Sequence, residues 1–134
     1  MRSDLSVLAA SLGLVLSAPV FAHHSFEAEY DSNKPINVTG AVTKVEWMNP
    51  HARFYVDVKD EKGAVTNWNF ELGSPNVLTR QGWRRDSLKV GDTVSVEGYL
   101  AKDGAKLANA RRVTLADGRK VFAGSAAGEG GPQQ

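Results

Sequence analysis

The chain has 134 residues, of which 16 are Lys or Arg and 15 are Asp or Glu, so its net charge at pH 7 is only +1. This length predicts a single domain, and the near-neutral charge argues against strong electrostatic steering towards nucleic acid or anionic lipid, so we expect no nucleic-acid partner. Cysteine is absent, which excludes disulfide bonds and thiolate ligands and leaves imidazole, amine, carboxylate and thioether groups for any metal ion.

Residues 1–22 have the pattern of a cleavable signal peptide. Arg2 precedes an apolar stretch from Leu5 to Leu16, and the segment ends in Val20-Phe21-Ala22, a sequence of the kind that signal peptidase recognises. The apolar stretch is shorter than the ~20 residues that cross a bilayer, and no later segment approaches that length. We therefore expect a periplasmic or secreted protein that begins at His23 and has no membrane span.

The N-terminal part of the mature chain is expected to be an arm followed by a bent strand. Residues 23–35 are polar and without periodicity, and they end in the turn signal Asn33-Lys34-Pro35. The domain proper is predicted over residues 36–123. Its first strand, Ile36 to Trp47, changes the parity of its apolar residues near Thr43-Lys44, which is typical of a β-bulge.

The next two segments form a predicted hairpin. Ala52 to Val58 alternates apolar and polar residues, as does Val65 to Leu72, and the turn Asp60-Glu61-Lys62-Gly63 joins them. In the second strand of the hairpin, the alternation directs Trp68, Phe70 and Leu72 inward.

A short helix and two more strands follow. Ser74 fits the helix N-cap, Pro75 the first helical position and Gly82 the C-terminal stop. Alternation then predicts a fourth strand around Val94 to Leu100. A fifth strand is predicted from Ala108 to Leu115, where a slip in parity indicates a second bulge. A short segment, 120–122, follows, and residues 124–134 are predicted to be a disordered tail.

This order of elements predicts the fold class. Three strands, a short helix and two strands, with bent first and last members, are typical of an all-β, five-stranded Greek-key barrel like the oligonucleotide/oligosaccharide-binding (OB) fold. A closed barrel also removes exposed strand edges. An SH3-like barrel is the main alternative, but the helix between strands three and four favours the OB-like fold.

Several short motifs resemble those of a group of small exported bacterial proteins, which is classed as a family of unknown function. The resemblance covers essentially the whole mature domain and implies an exported β-barrel, but it implies no catalytic residue. The motifs are His23-His24-Ser25-Phe26, Trp47-x-Asn49-Pro50-His51, Leu72-Gly73-Ser74-Pro75, Gly82-Trp83, Gly91-Asp92-x-Val94-x-Val96-x-Gly98 and Ala108-Asn109-Ala110-Arg111.

The three histidines suggest a transition-metal site. Cleavage after Ala22 would join a free α-amine to the imidazole of His23, with His24 next to it, and His51 lies in the loop between the first two strands. This start resembles the histidine brace of lytic polysaccharide monooxygenases and periplasmic copper carriers, although those proteins are sandwiches and not barrels. The amine and imidazole nitrogens suit copper, with Glu27, Glu29 or water completing the set. The alternative is a disordered N-terminus and a His51 that caps the Asn49-Pro50 turn.

A polar row on the predicted hairpin suggests a second binding surface. Tyr55 on the second strand lies beside Asn67 and Asn69 on the third, with Arg53 and Glu71 as a cross-strand pair. Trp83 is expected nearer the surface, where it could stack on a ligand. The alternative is an ordinary solvated sheet face.

No enzyme motif occurs in the chain: a phosphate-binding loop, a nucleophile elbow and a two-histidine helix motif are all missing. We therefore expect a non-enzymatic binding protein, with copper as its one suggested cofactor. The first hypothesis is metal carriage or sensing through His23, His24 and His51. The second is an interaction module for a peptide, glycan or partner protein on the face of strands two and three. A copper oxidase or monooxygenase is a distant third.

Overall fold

The structure, a computed structural model, describes residues 26–123. The predicted signal peptide, His23 and His24, and the predicted tail of residues 124–134 lie outside the described residues. In chain order the elements are α1 (Phe26–Glu29), β1 (Tyr30–Glu46), β2 (Arg53–Lys59), β3 (Val65–Glu71), α2 (Pro75–Arg80), β4 (Thr93–Ala101), β5 (Leu107–Thr114) and β6 (Lys120–Phe122).

Five of these strands close into an OB-like barrel, which confirms the predicted all-β fold. β1 pairs antiparallel with both β2 and β4. β5 pairs antiparallel with β4 and parallel with β3, and so closes the barrel. The ring therefore runs β1-β2-β3-β5-β4 and returns to β1. No helix in the described part of the chain is long and apolar enough to cross a membrane.

Neighbouring strands approach each other closely at two glycines. A Cβ atom on Gly40 would lie 2.1 Å from the carbonyl oxygen of Asp57, and one on Gly98 would lie 2.0 Å from that of Asn109. Only a residue without a side chain fits there. The two predicted bulges are also present, between Val42 and Lys44 in β1 and opposite the Glu97–Gly98 step of β4.

The core consists of the inward-facing residues that the alternation predicted. Phe54 of β2 and Phe70 of β3 are fully buried with their rings 5.3 Å apart, and Leu78 of α2 covers one end of the barrel. The helix begins as predicted, because the Ser74 hydroxyl accepts a hydrogen bond from the Val77 amide at 3.3 Å and Pro75 follows it. Trp68 is half-buried and packs against this core.

Two boundaries differ from the prediction. Within the predicted arm, Phe26–Glu29 forms one helical turn and β1 begins at Tyr30, because Tyr30 pairs with Ala101 and is 2 % exposed. Residues between Tyr30 and the next pair at Pro35 bulge away from β4. The segment after the fifth strand is a sixth strand, which pairs with the end of β5.

Candidate functional site

The His51 imidazole lies at the end of the β2–β3 hairpin and is half-buried. Its Nδ1 is 3.1 Å from the carbonyl oxygen of Leu72. A carbonyl only accepts hydrogen bonds, so Nδ1 carries the proton and the lone pair of the neutral ring is on Nε2. Histidines that bind metals are commonly oriented through the second ring nitrogen in this way. The alternative interpretation made His51 a cap of the Asn49-Pro50 turn. In the structure its ring instead contacts the carbonyl of Leu72, just after the end of β3.

The chain around His51 is held by backbone hydrogen bonds. The Ala52 amide donates to the Gly73 carbonyl at 3.0 Å, and the Leu72 amide donates to the Ala52 carbonyl at 2.8 Å. These two bonds extend the hairpin by one step past the ends of β2 and β3. The imidazole is thus attached to a rigid part of the barrel, which suits a ligand that must keep its direction.

Of the three histidines predicted to bind metal, only His51 lies in the described part of the chain. Across residues 26–123, no three His, Asp or Glu side chains come together as a group that could hold a metal ion. The two carboxylates suggested as further ligands, Glu27 and Glu29, are exposed on α1. A metal site that uses His51 would therefore need ligands from outside the described residues.

The segment that follows this N-terminus is anchored on the outside of the barrel. The Phe26 ring stacks on Tyr30 at 5.6 Å and meets the edge of Tyr99 at 5.7 Å. The Lys102 amide donates to the Glu29 carbonyl at 2.9 Å, and its ammonium group donates to the Glu27 carbonyl. Aromatic packing and these bonds fix α1 against the end of β4.

Three of the four predicted ligand-binding residues lie together on the outer face of β2 and β3. Tyr55 is directly opposite Asn69 in the ladder, and Asn67 is opposite Asp57. The Asn67 amide donates to Asp57 at 2.7 Å and to the Thr43 hydroxyl at 3.1 Å. Around Asn67 the face is therefore a solvated sheet surface, as the alternative interpretation expected. Ligand binding by these residues stays a prediction.

A pair of oppositely charged side chains, Lys44 and Glu46, borders Tyr55. Its hydroxyl donates to Glu46 at 3.4 Å, and the Lys44 ammonium lies 5.2 Å from the centre of its ring. The hydrogen bond and charge of Lys44, whose ammonium is 2.6 Å from the carboxylate, lower the pKa of Glu46. The same contact raises the pKa of Lys44. This corner of the face keeps both charges near neutral pH.

The other end of the same face is buried, contrary to the prediction of a solvated row. Glu71 is 5 % exposed and accepts a hydrogen bond from Arg53 at 2.7 Å. This confirms the predicted pair but not its exposure. Burial and, next, the charge of the Glu71 carboxylate raise the pKa of the Tyr30 hydroxyl above its ordinary value. This burial was not predicted; the two aromatic residues four positions apart, Phe26 and Tyr30, are the sequence feature that could have indicated it.

Trp83 does not belong to this face, and the expectation that it lies near the surface is wrong. It is 2 % exposed, and its indole N–H donates to the Phe122 carbonyl at 2.7 Å. The residue follows the end of α2 and fills the space between that helix and β6. The ring is packed within the fold, and its one polar atom already has a hydrogen-bond partner there.

Comparison with known proteins establishes the family. The model of "Family of unknown function (DUF6152)" matches residues 12–110. The chain belongs to this family. The predicted membership of a family of unknown function is thereby confirmed, while export and the likeness of the N-terminus to copper proteins stay predictions. No curated protein matches the DUF6152 chain.

Two solved structures are similar to this DUF6152 member in fold. One is the mitochondrial single-stranded DNA binding protein Rim1 from S. cerevisiae, with 11% identity and a TM-score of 0.48, covering 61% of this chain and 92% of that one. The other is the N-terminal domain of PriB from Thermoanaerobacter tencongensis, with 16% identity and a TM-score of 0.42, covering 62% of this chain and 96% of that one.

One prediction about partners is wrong, because it excluded nucleic acid on net charge alone. One of the two solved structures of similar fold is that of a single-stranded DNA binding protein. Net charge averages over the whole surface, whereas binding of single strands depends on local basic groups and aromatic stacking. The near-neutral charge of this DUF6152 chain therefore does not exclude nucleic acid as a partner.

Proposed function

We propose that the chain is exported and that its mature form is a small binding protein for copper or a similar transition metal. The observation that carries the proposal is the hydrogen bond from His51 Nδ1 to the Leu72 carbonyl. This hydrogen bond occupies Nδ1, so the lone pair that can bind a metal ion is on Nε2, the nitrogen that faces away from the contact.

The position of α1 supports the other half of the site. His23 precedes Phe26 by three residues, and three residues of extended chain reach about 10 Å. Phe26 packs on Tyr30, and the charges of Glu71 and Arg53 act on the Tyr30 hydroxyl. Arg53 follows His51 by two residues. The segment Phe26–Tyr30 and the start of β2 at Arg53 thus lie on the same side of the barrel.

The donor set decides the class of metal. The α-amine and imidazole of His23, with a nitrogen of His24 or His51, would supply nitrogen ligands, which copper(II) accepts in a tetragonal arrangement. The amine must lose its proton to bind, so we expect affinity to fall as the pH is lowered. A site with one open side suits the carriage or sensing of metal better than permanent storage.

Titration of the processed protein tests this proposal. Protein recovered from the periplasm of an expressing host would first be weighed by intact mass spectrometry, which should give a chain that starts at His23. Copper(II) affinity, measured by competition with a chelator, should then fall at least tenfold when one alanine precedes His23, and at least tenfold in His51→Gln. Met48→Leu, in the same loop, is the control that should bind as the wild type does. Equal affinity in the wild type, the alanine-extended form, His51→Gln and Met48→Leu would contradict a site shared by the N-terminus and His51.

A further inference from the structure

The outer face of the barrel contains buried polar side chains that the proposed metal site does not use. Asn109 of β5 is fully buried and lies opposite Glu71 of β3 in the parallel ladder. Asn69 is two residues before Glu71 and so projects from the same face. We call Asn69, Glu71 and Asn109 the polar floor. Buried amides are rare unless their hydrogen bonds are made.

The two asparagines of the polar floor carry amide atoms without hydrogen-bond partners among the described residues. Both side-chain atoms of Asn109 and the Oδ1 of Asn69 are buried and unpartnered within residues 26–123. Asn67, on the same strand, differs because its amide donates to Asp57 and Thr43. An unpaired buried amide opposes folding, whereas an apolar residue of similar shape would not. Stability alone therefore does not explain the two asparagines.

A short segment covers the polar floor. Phe26–Tyr30, here called the cap, buries Tyr30 against the barrel, where Tyr30 pairs with Ala101. Burial raises the pKa of the Tyr30 hydroxyl, which lies close enough to Glu71 for the charge of that carboxylate to raise it further. Regular pairing of β1 with β4 resumes only at Pro35, beyond the bulged residues. Lifting the cap would break the isolated Tyr30–Ala101 pair and the two bonds from Lys102, and would leave the ladder from Pro35 onward intact.

We propose that the polar floor is a ligand-binding site, that the cap is its displaceable lid, and that the ligand is an uncharged molecule with neighbouring hydroxyl groups, the chemistry of a sugar. No residue of the polar floor is among the ligands of the metal site proposed above. When the cap lifts, the ligand takes the place of the Tyr30 side chain beside Glu71 and reaches the two asparagines.

The unpartnered atoms define the ligand class. Two amide oxygens require two donors, and the Asn109 amide nitrogen requires an acceptor. Two adjacent hydroxyl groups supply both donors and an acceptor together, whereas one peptide group supplies a single donor. The charge within the polar floor, that of Glu71, is paired with Arg53 at 2.7 Å. The pair cancels locally, so the site favours an uncharged ligand.

Hydrogen exchange of the full chain tests the lid. We expect the amides of Tyr30 and Lys102, which lie at the junction of the cap and β4, to exchange at least tenfold faster than those of Val96 and Val113 in the core strands. Phe26→Ala should speed exchange at the junction further and leave the core strands unchanged. Equal protection at the junction and in the core strands would overturn the displaceable lid.

Amide NMR with neutral sugars tests the ligand class. The probes are glucose, mannose, galactose, xylose and cellobiose, each titrated to millimolar concentration. At least one should give saturable shifts at Asn69 and Asn109, with higher apparent affinity in Phe26→Ala because the open fraction rises. Asn109→Leu should lose at least tenfold in affinity and gain thermal stability, whereas Asn67→Ala and His51→Gln should bind as the wild type does. Absence of saturable shifts in both the wild type and Phe26→Ala would overturn the ligand class.

Discussion

Replacing Arg53 with methionine removes the charge partner of a buried carboxylate. Glu71 is 5 % exposed, and its Oε2 is 2.7 Å from the Arg53 guanidinium. Methionine keeps most of the apolar stem, so the loss is mainly electrostatic. Breaking a buried pair from one side costs about 3–5 kcal/mol. The Arg53 side chain is 30% exposed, so we expect the lower end of that range, about 3 kcal/mol.

Urea unfolding followed by tryptophan fluorescence measures this loss, and a thermal melt should show a fall in Tm of roughly 12–24 °C for a domain of this size. Arg112→Met is the matched control, because its pair with Glu97 spans 3.4 Å between side chains that are 57% and 47% exposed. Breaking that surface pair should cost less than about 1 kcal/mol. The reasoning fails if the two arginine variants lose the same stability.

Three further predictions concern packing and pH. Gly98→Ala places a Cβ 2.0 Å from the backbone of β5 and should lower the free energy of unfolding by about 3 kcal/mol in urea. The control, Gly118→Ala, lies in open space at φ +85° and should lower it by about 1 kcal/mol. A larger loss in Gly118→Ala than in Gly98→Ala would contradict the contact. Trp83→Phe removes the donor to a carbonyl in β6 and leaves a cavity, so it should cost about 2–3 kcal/mol by the same assay, and Trp68→Phe should cost less because Trp68 is only half-buried. The pKa of Tyr30 is raised by burial above its ordinary value of 10.0, so the folded protein holds this proton after the unfolded chain has lost it. The stabilisation is full below pH 10 and is lost as the pH rises, by about 1.4 kcal/mol per pH unit. Tyr30→Phe should remove that component of the slope, and an unchanged slope above pH 10 would contradict the burial argument.

Local patterns explain how much of the fold the sequence predicts. Alternation over seven or more residues identified the strands, and the Ser74-Pro75 pair identified the helix start, because each signal acts within one element. The bulge near Thr43 was also visible, since a bulge changes the parity of the apolar residues. The sixth strand was not recognised as one, because a three-residue strand is too short to show alternation.

Long-range contacts explain what the sequence does not show at the site. Glu71 is buried beside Tyr30, which comes from a distant part of the chain that lacks periodicity. Trp83 looks exposed beside Gly82 and two arginines, but its indole points back to β6. For His51, the sequence shows an imidazole in a loop, and only the fold shows which ring nitrogen is occupied.

Electron paramagnetic resonance of the copper(II)-loaded mature protein tests the central claim most directly. Splitting by nitrogen nuclei counts the nitrogens bound to the ion. The account predicts that the wild type loses one nitrogen in His51→Gln and a different one when an alanine precedes His23. A spectrum that is the same in all three proteins would show that neither the N-terminal amine nor His51 holds the ion, and would contradict the proposed site.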